Sequence, residues 1–95
     1  MNFKLTNKAY ADLKNIARYT QKTWGTAQRN DYLTQMDSTF HMLAENYRLG
    51  VSCDHIRNGY RKYPVGKHLI FYHIAKSTVI ISRILHQSMD VERKL

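Results

Sequence analysis

The sequence predicts an α+β fold in which an N-terminal helical hairpin packs on one face of a small antiparallel sheet. Three observations predict the α+β class. The first half carries apolar residues at helical intervals, the second half changes to aromatic and β-branched runs, and the breaks between segments are short. A chain of 95 residues, 43% of them hydrophobic, can build one modest core, so residues 1–95 are read as one domain.

Asn2 to Leu5 alternate polar and apolar, which suits a short strand or an extended lead-in. Thr6 can cap a helix, and Ala9, Leu13, Ile16, Ala17, Thr20 and Trp24 then mark one helical face as far as Gly25. Trp24 is expected in the core. Lys14, Arg18 and Lys22 form a basic row on another side of the same helix. Thr26 is the next capping candidate, and Leu33, Met36, Phe40, Leu43, Ala44 and Tyr47 carry a second helix to the Leu49-Gly50 break, with Met36 and Phe40 facing the core. With only Gly25 and Thr26 between them, the two helices form an antiparallel hairpin.

A polar connection, Val51 to His55, leads to a strand over Ile56–Tyr63, a turn at Pro64-Val65-Gly66, and a central strand over Leu69–Ile74. A second turn, Ala75 to Thr78, leads to a third strand over Val79–His86. The hairpin is the only large apolar surface available to cover the resulting meander, which leaves the opposite sheet face open. Period two puts Arg83 and His86 on opposite faces unless a bulge intervenes, and which of them faces outward stays undetermined.

Composition narrows the functional classes. No apolar run is long enough to span a bilayer and the first residues do not resemble a signal peptide, so a cytoplasmic protein is expected. Cys53 is the single cysteine, which excludes an internal disulfide and a four-cysteine zinc site. The five histidines are scattered, so neither a metal nor a cofactor is expected. Fifteen Lys and Arg against seven Asp and Glu give a formal charge of +8, which points to an acidic partner, either nucleic acid or an acidic protein segment.

Three chemistries draw on the strands. Arg61, Arg83 and His86, with Tyr63, are the residue types a nuclease would use to stabilise and protonate around a scissile phosphate. Arg57, Arg61, Lys62 and Lys67 interleaved with Tyr60 and Tyr63 suit nucleic-acid binding through phosphates and stacking. The same region, with an open sheet face and an accessible edge, suits an acidic amphipathic segment. The residues by themselves leave the last two tied.

Gly59-Tyr60-Arg61-Lys62-Tyr63-Pro64-Val65-Gly66, then His68-Leu69-Ile70-Phe71-Tyr72 and Arg83-Ile84-Leu85-His86, resemble the strand motifs of ParE-type toxins in the RelE/ParE superfamily. Leu5-Thr6, Ala9, Asp12-Leu13, Ile16, Tyr19-Thr20 and Trp24-Gly25 resemble the family's first helix, and Leu43-Ala44-Glu45-Asn46 through Gly50 the end of its second. Tyr47 departs from the proline often found before the equivalent of Arg48. The resemblance implies the toxin of a bacterial type II toxin–antitoxin pair, of the kind associated with plasmid stabilisation, which inhibits DNA gyrase by trapping its cleaved DNA complex. It implies a ParD-like acidic antitoxin, contact with operator DNA only through the antitoxin complex, and no membrane partner, and it leaves a homo-oligomer open. The RelE branch instead cleaves messenger RNA on ribosomes, and for it Arg61, Arg83 and His86 would be the catalytic set. The segment Gln87 to Leu95 has no tyrosine or histidine, so the resemblance favours the gyrase branch and no catalytic residue. Gyrase-contact candidates on this reading are Arg83, His86, Met89 and Asp90, and antitoxin-contact candidates are Lys14, Arg18, Arg57, Arg61 and Tyr63. Whether the tail folds back on the sheet is left open.

Overall fold

In the computed structural model, which describes residues 1–95, one mixed sheet carries helices on one face and a loop and tail on the other. Its elements are β1 (Asn2–Leu5), α1 (Asn7–Trp24), α2 (Thr26–Glu45), β2 (Val51–Ser52), β3 (Arg61–Val65), β4 (His68–Ala75), β5 (Thr78–His86) and a four-residue α3 (Val91–Lys94). A 3₁₀ turn over Tyr47–Leu49 links α2 to β2. The sheet order is β1-β5-β4-β3-β2, antiparallel throughout except that β1 runs parallel to β5.

Thr6 joins the first strand to the first helix. Its N–H donates to the Ile81 carbonyl at 3.0 Å, extending the strand pairing by one residue. Its hydroxyl donates to the Ser82 carbonyl and accepts from the Ala9 N–H, capping α1 in the same step. Helix α1 stops at Gly25, whose φ of 95° is a conformation that glycine adopts most readily. The same residue caps α2: its N–H closes the last turn of α1 on Gln21, and its carbonyl accepts from Arg29.

Period two sorts the strand residues onto two cores. On the helix side Ala9, Ile16, Met36, Phe40 and Leu43 pack on Val65, Ile70, Tyr72, Val79, Ile81 and Ile84. The fully buried Tyr72 hydroxyl is satisfied by donating to the Tyr47 carbonyl and accepting from the Gly50 N–H. A side chain at position 50 would run into that hydroxyl and the Lys62 carbonyl, so only glycine fits there. On the opposite side Cys53, Tyr60, Phe71 and Leu85 form a smaller cluster, flanked by Ile56, Leu69, Val91 and Leu95.

Several expectations are corrected. The opposite sheet face is not open: the 53–60 loop and the tail cover part of it, because Phe71 and Leu85 are large apolar residues that need burial on that side too. The sheet has five strands, since β1 pairs with β5 and Val51-Ser52 pairs with Arg61-Lys62. Ile56–Gly59 is not strand. It is a turn, held by Cys53 carbonyl bonds to the N–H groups of Ile56 and Arg57 and by Asp54 accepting from Gly59. Pro64 and Val65 are not turn but the end of β3, an edge position where proline is tolerated. Helix α2 ends at Glu45, four residues early, where Asn46 leaves helical geometry. Thr26 is its first residue and makes no cap bond. Trp24 is not in the core: with Gly25 ending the helix directly after it, the indole is 71% exposed.

Candidate functional site

On its β1 side the distal half of β5 has no strand beside it, because β1 ends at Leu5. Asp12 of α1 takes over that edge. Its carboxylate accepts from the Ile84 N–H at 3.0 Å and from Arg83 through Nε at 2.8 Å and Nη2 at 2.9 Å. Such bidentate, charge-assisted contacts are among the stronger hydrogen bonds. The pair is mostly buried, with side chains 18% and 13% exposed, and the bond to Asp12 pushes the Arg83 pKa up.

Arg83 also reaches the tail. Its Nη1 donates to the Lys94 carbonyl at 2.9 Å, while Arg57, lying over the Tyr60 ring, donates to the Leu95 main-chain oxygen at 2.9 Å. Val91 and Leu95 pack beside Phe71 and Leu85. The tail therefore folds back on the sheet. Between β5 and α3 the chain turns through Gln87 to Asp90, with the Met89 N–H donating to the His86 carbonyl and Met89 itself exposed.

A bulge in β5 leaves Ser82 without a partner in the register between Phe71↔Arg83 and Tyr72↔Ile81. It precedes Arg83, so Arg83 and His86 still fall on opposite faces: Arg83 lies opposite Phe71, on the tail side, and His86 opposite His68, on the helix side. Arg61 is farther away. It pairs with Tyr72, four residues or about 13 Å of strand along β4 from His68, and donates to the Gly50 carbonyl. The structure thus brings together Arg83 with the tail and His86 with Ser88 and Met89, and it separates Arg61 from both.

The antitoxin-contact candidates do not share one face. Lys14 and Arg18 are exposed on α1, Arg57 lies on the tail side, and Arg61 and Tyr63 are half-buried on the helix side of β3. Tyr60 is buried, so the interleaved aromatic and basic surface expected along this strand is not displayed as a continuous patch.

The structure adds Tyr32, which the sequence did not single out, and brings it together with His68 and His86. Tyr32, His68 and His86 line the floor of a cleft between α1 and the β4–β5 ends, with Tyr19 and Trp24 on its walls. The Tyr32 hydroxyl donates to the Val65 carbonyl at 2.8 Å, so the 2.7 Å contact with His68 Nδ1 requires the imidazole to be the donor there. Burial, reinforced by His86 and opposed by Asp12, pulls the His68 pKa down. The neutral ring therefore presents Nε2 as an acceptor. His86 has the opposite arrangement: Nδ1 accepts from the Ser88 N–H and contacts its hydroxyl, leaving Nε2 to carry a proton. The available signal was the pairing of His68 and His86, which follows only from strand register. No three His, Cys, Asp or Glu side chains gather in a group able to hold a metal ion, and no helix is long and apolar enough to cross a membrane.

Comparison with known proteins places this geometry. Residues 3–91 match the family model described as ParE toxin of type II toxin-antitoxin system, parDE. The chain is 39% identical over 94 residues to Toxin ParE1 of Mycobacterium tuberculosis, covering 98% of this chain and 96% of that protein. It is 37% identical over 93 residues to Toxin ParE1 of Caulobacter vibrioides, with the same coverage. A solved structure titled chromosomal ParDE TA system from P. aeruginosa superposes with a TM-score of 0.79 at 19% identity, over 90% of this chain and 95% of that one, a likeness of fold.

Proposed function

The chain belongs to the ParE family of toxins of type II toxin–antitoxin systems, and on that premise we propose that it acts in the cytoplasm by binding DNA gyrase and trapping the cleaved DNA complex, restrained by a ParD-like acidic antitoxin. The observation that carries this reading is the disposition of the basic residues. A nuclease would need cation, acid and base around one phosphate. Here Arg83 is committed to Asp12 and the tail, Arg61 to the Gly50 carbonyl some way along the sheet, and His86 lies on the other face from Arg83.

The tail turn supports a contact role instead. His86, Met89 and Asp90 border a short exposed segment whose far end is anchored by Arg83. On this reading His86, Met89 and Asp90 touch gyrase, and Arg83 positions them from beneath. The net charge of +8, with exposed Lys14 and Arg18 on α1 and Arg57 on the other side, suits an acidic antitoxin that wraps the molecule rather than filling one pocket. Operator DNA would then be reached through the antitoxin complex.

The test is to titrate the protein into gyrase with supercoiled plasmid and ATP, then quench with detergent and protease. Linear DNA should accumulate with dose, and Met89→Asp should suppress it while leaving antitoxin binding intact. Linear DNA that never rises above the gyrase-only control would overturn the proposal. A translation extract run in parallel should show no transcript cuts.

A further inference from the structure

We infer that the cleft between α1 and the β4–β5 ends binds single-stranded nucleic acid, taking an unstacked base between Tyr19 and Trp24 over the His68–His86 floor. The inference goes beyond the gyrase reading and does not depend on it, because it concerns direct binding by this chain alone.

The first support is exposure. Tyr19 and Trp24 are 66% and 71% exposed, large aromatic surfaces left mostly open to solvent, and both line one cleft. Two adjoining spaces of about 370 and 330 Å³ share Tyr19, His68 and His86, so the groove runs continuously past the tail turn toward the hairpin corner. Each is within the size range of ligand pockets. Exposed aromatic faces serve as sequence-tolerant stacking platforms for single-stranded bases.

The second is charge. Helix α1 has a single carboxylate, Asp12, and that group is already occupied by Arg83 and the Ile84 N–H. What remains on its exposed side is cationic: Lys14, Arg18 and Lys22, with Lys22 one turn beyond Tyr19 and Arg18 one turn beyond Asn15 at the cleft rim. Lys67 adds a cation on the opposite rim. A backbone lying along this border would meet positive charge on both sides of the aromatic pair.

The third is hydrogen-bond chemistry. His68 Nε2 is an acceptor and His86 Nε2 a donor, and neither has a protein partner. The two rings meet edge to face with centroids 5.4 Å apart, which places a donor and an acceptor together on the floor. The edge of a nucleobase offers the matching pattern, and an acidic side chain, which only accepts, does not.

The test uses Trp24, the only tryptophan, as its own reporter. A short single-stranded oligonucleotide should quench its fluorescence, and the duplex of the same sequence should bind about ten-fold more weakly or worse. Measured by anisotropy of a labelled oligonucleotide, Tyr19→Ala and Trp24→Ala should each lose about ten-fold in affinity, with Trp24→Phe restoring most of it. Lys67→Ala should flatten the salt dependence by about 0.7 in log–log slope. Unchanged circular dichroism melting would exclude misfolding as the cause, as expected for exposed positions. Equal binding of single strand and duplex, or an undiminished affinity in Trp24→Ala, would overturn the inference. Quenching by polyglutamate as strong as that by the oligonucleotide would also overturn it, and would assign the cleft to an acidic protein segment.

Discussion

The two faces of the sheet are held by different means. On the helix side, two long helices lay a continuous apolar stripe over Ile70, Tyr72, Val79, Ile81 and Ile84. Burial of that kind contributes about 1.5–3 kcal/mol for each large side chain removed from water. On the tail side the apolar cluster is only Cys53, Tyr60, Phe71 and Leu85, under a four-residue helix and a loop, with Arg57 and Arg83 gripping main-chain oxygens of the tail. One face is welded and the other is fastened. The difference teaches that the molecule separates what keeps it folded from what it presents: the segment bearing Met89 and Asp90 is attached at the weaker face, where opening locally costs least.

The strongest way to break this comparison is Phe40→Ala, which should lower unfolding stability by about 3–5 kcal/mol in urea titration through loss of burial and the cavity left behind. An effect no larger than that of a tail substitution would erase the distinction between faces. Asp12→Ala should cost about 2 kcal/mol, since it strands the Ile84 N–H and Arg83 together, and it should also raise hydrogen exchange across the tail. Val91→Ser should cost about 1 kcal/mol and speed exchange in residues 91–95 while leaving α1 and α2 protected. Uniform loss of protection would show that the tail is integral to the main core.

The most gradual effect is that of pH, and it samples each face once. Burial holds His68 on the helix side and His73 on the tail side below the ordinary histidine value, with His86 near the first and Arg57 near the second adding to the effect. The unfolded chain takes up protons near pH 6.5, which the folded protein resists. Stability is therefore full above that value and is lost as pH falls through the lower folded values. Urea midpoints measured between about pH 7.5 and 5 should decline, and His68→Gln and His73→Gln should each flatten the decline. A profile left unchanged by both substitutions would refute the assignment.

Much of the fold was legible because it rests on local periodicity. Thr6 as a cap, the α1 stripe, Gly25 as the corner and the β4 and β5 runs all announce themselves within a few residues. Errors gathered where a distant partner decides. Ile56 and Tyr60 look like a strand face but bend round to cover Cys53 and Phe71, and Trp24 continues an apolar pattern that Gly25 cuts off. The candidate site was less legible still. Arg83 and His86 were visible as residue types, yet Asp12 holding Arg83, and His68 standing opposite His86, depend on contacts that no spacing along the chain encodes.

The parallel pairing of β1 with β5 carries a consequence for how the molecule is made. Thr6 reaches Ser82 across 76 residues, and Asp12 reaches Arg83 across 71. Contacts of such span close large loops and come late in folding. During synthesis the helical hairpin emerges first, but Phe3 and Leu5 have no strand to lie against until β5 has left the ribosome. The first strand therefore stays unpaired while the helices and the strands before β5 are made. The tail turn, which follows β5 and is anchored through Arg83, can assemble only once that strand has emerged.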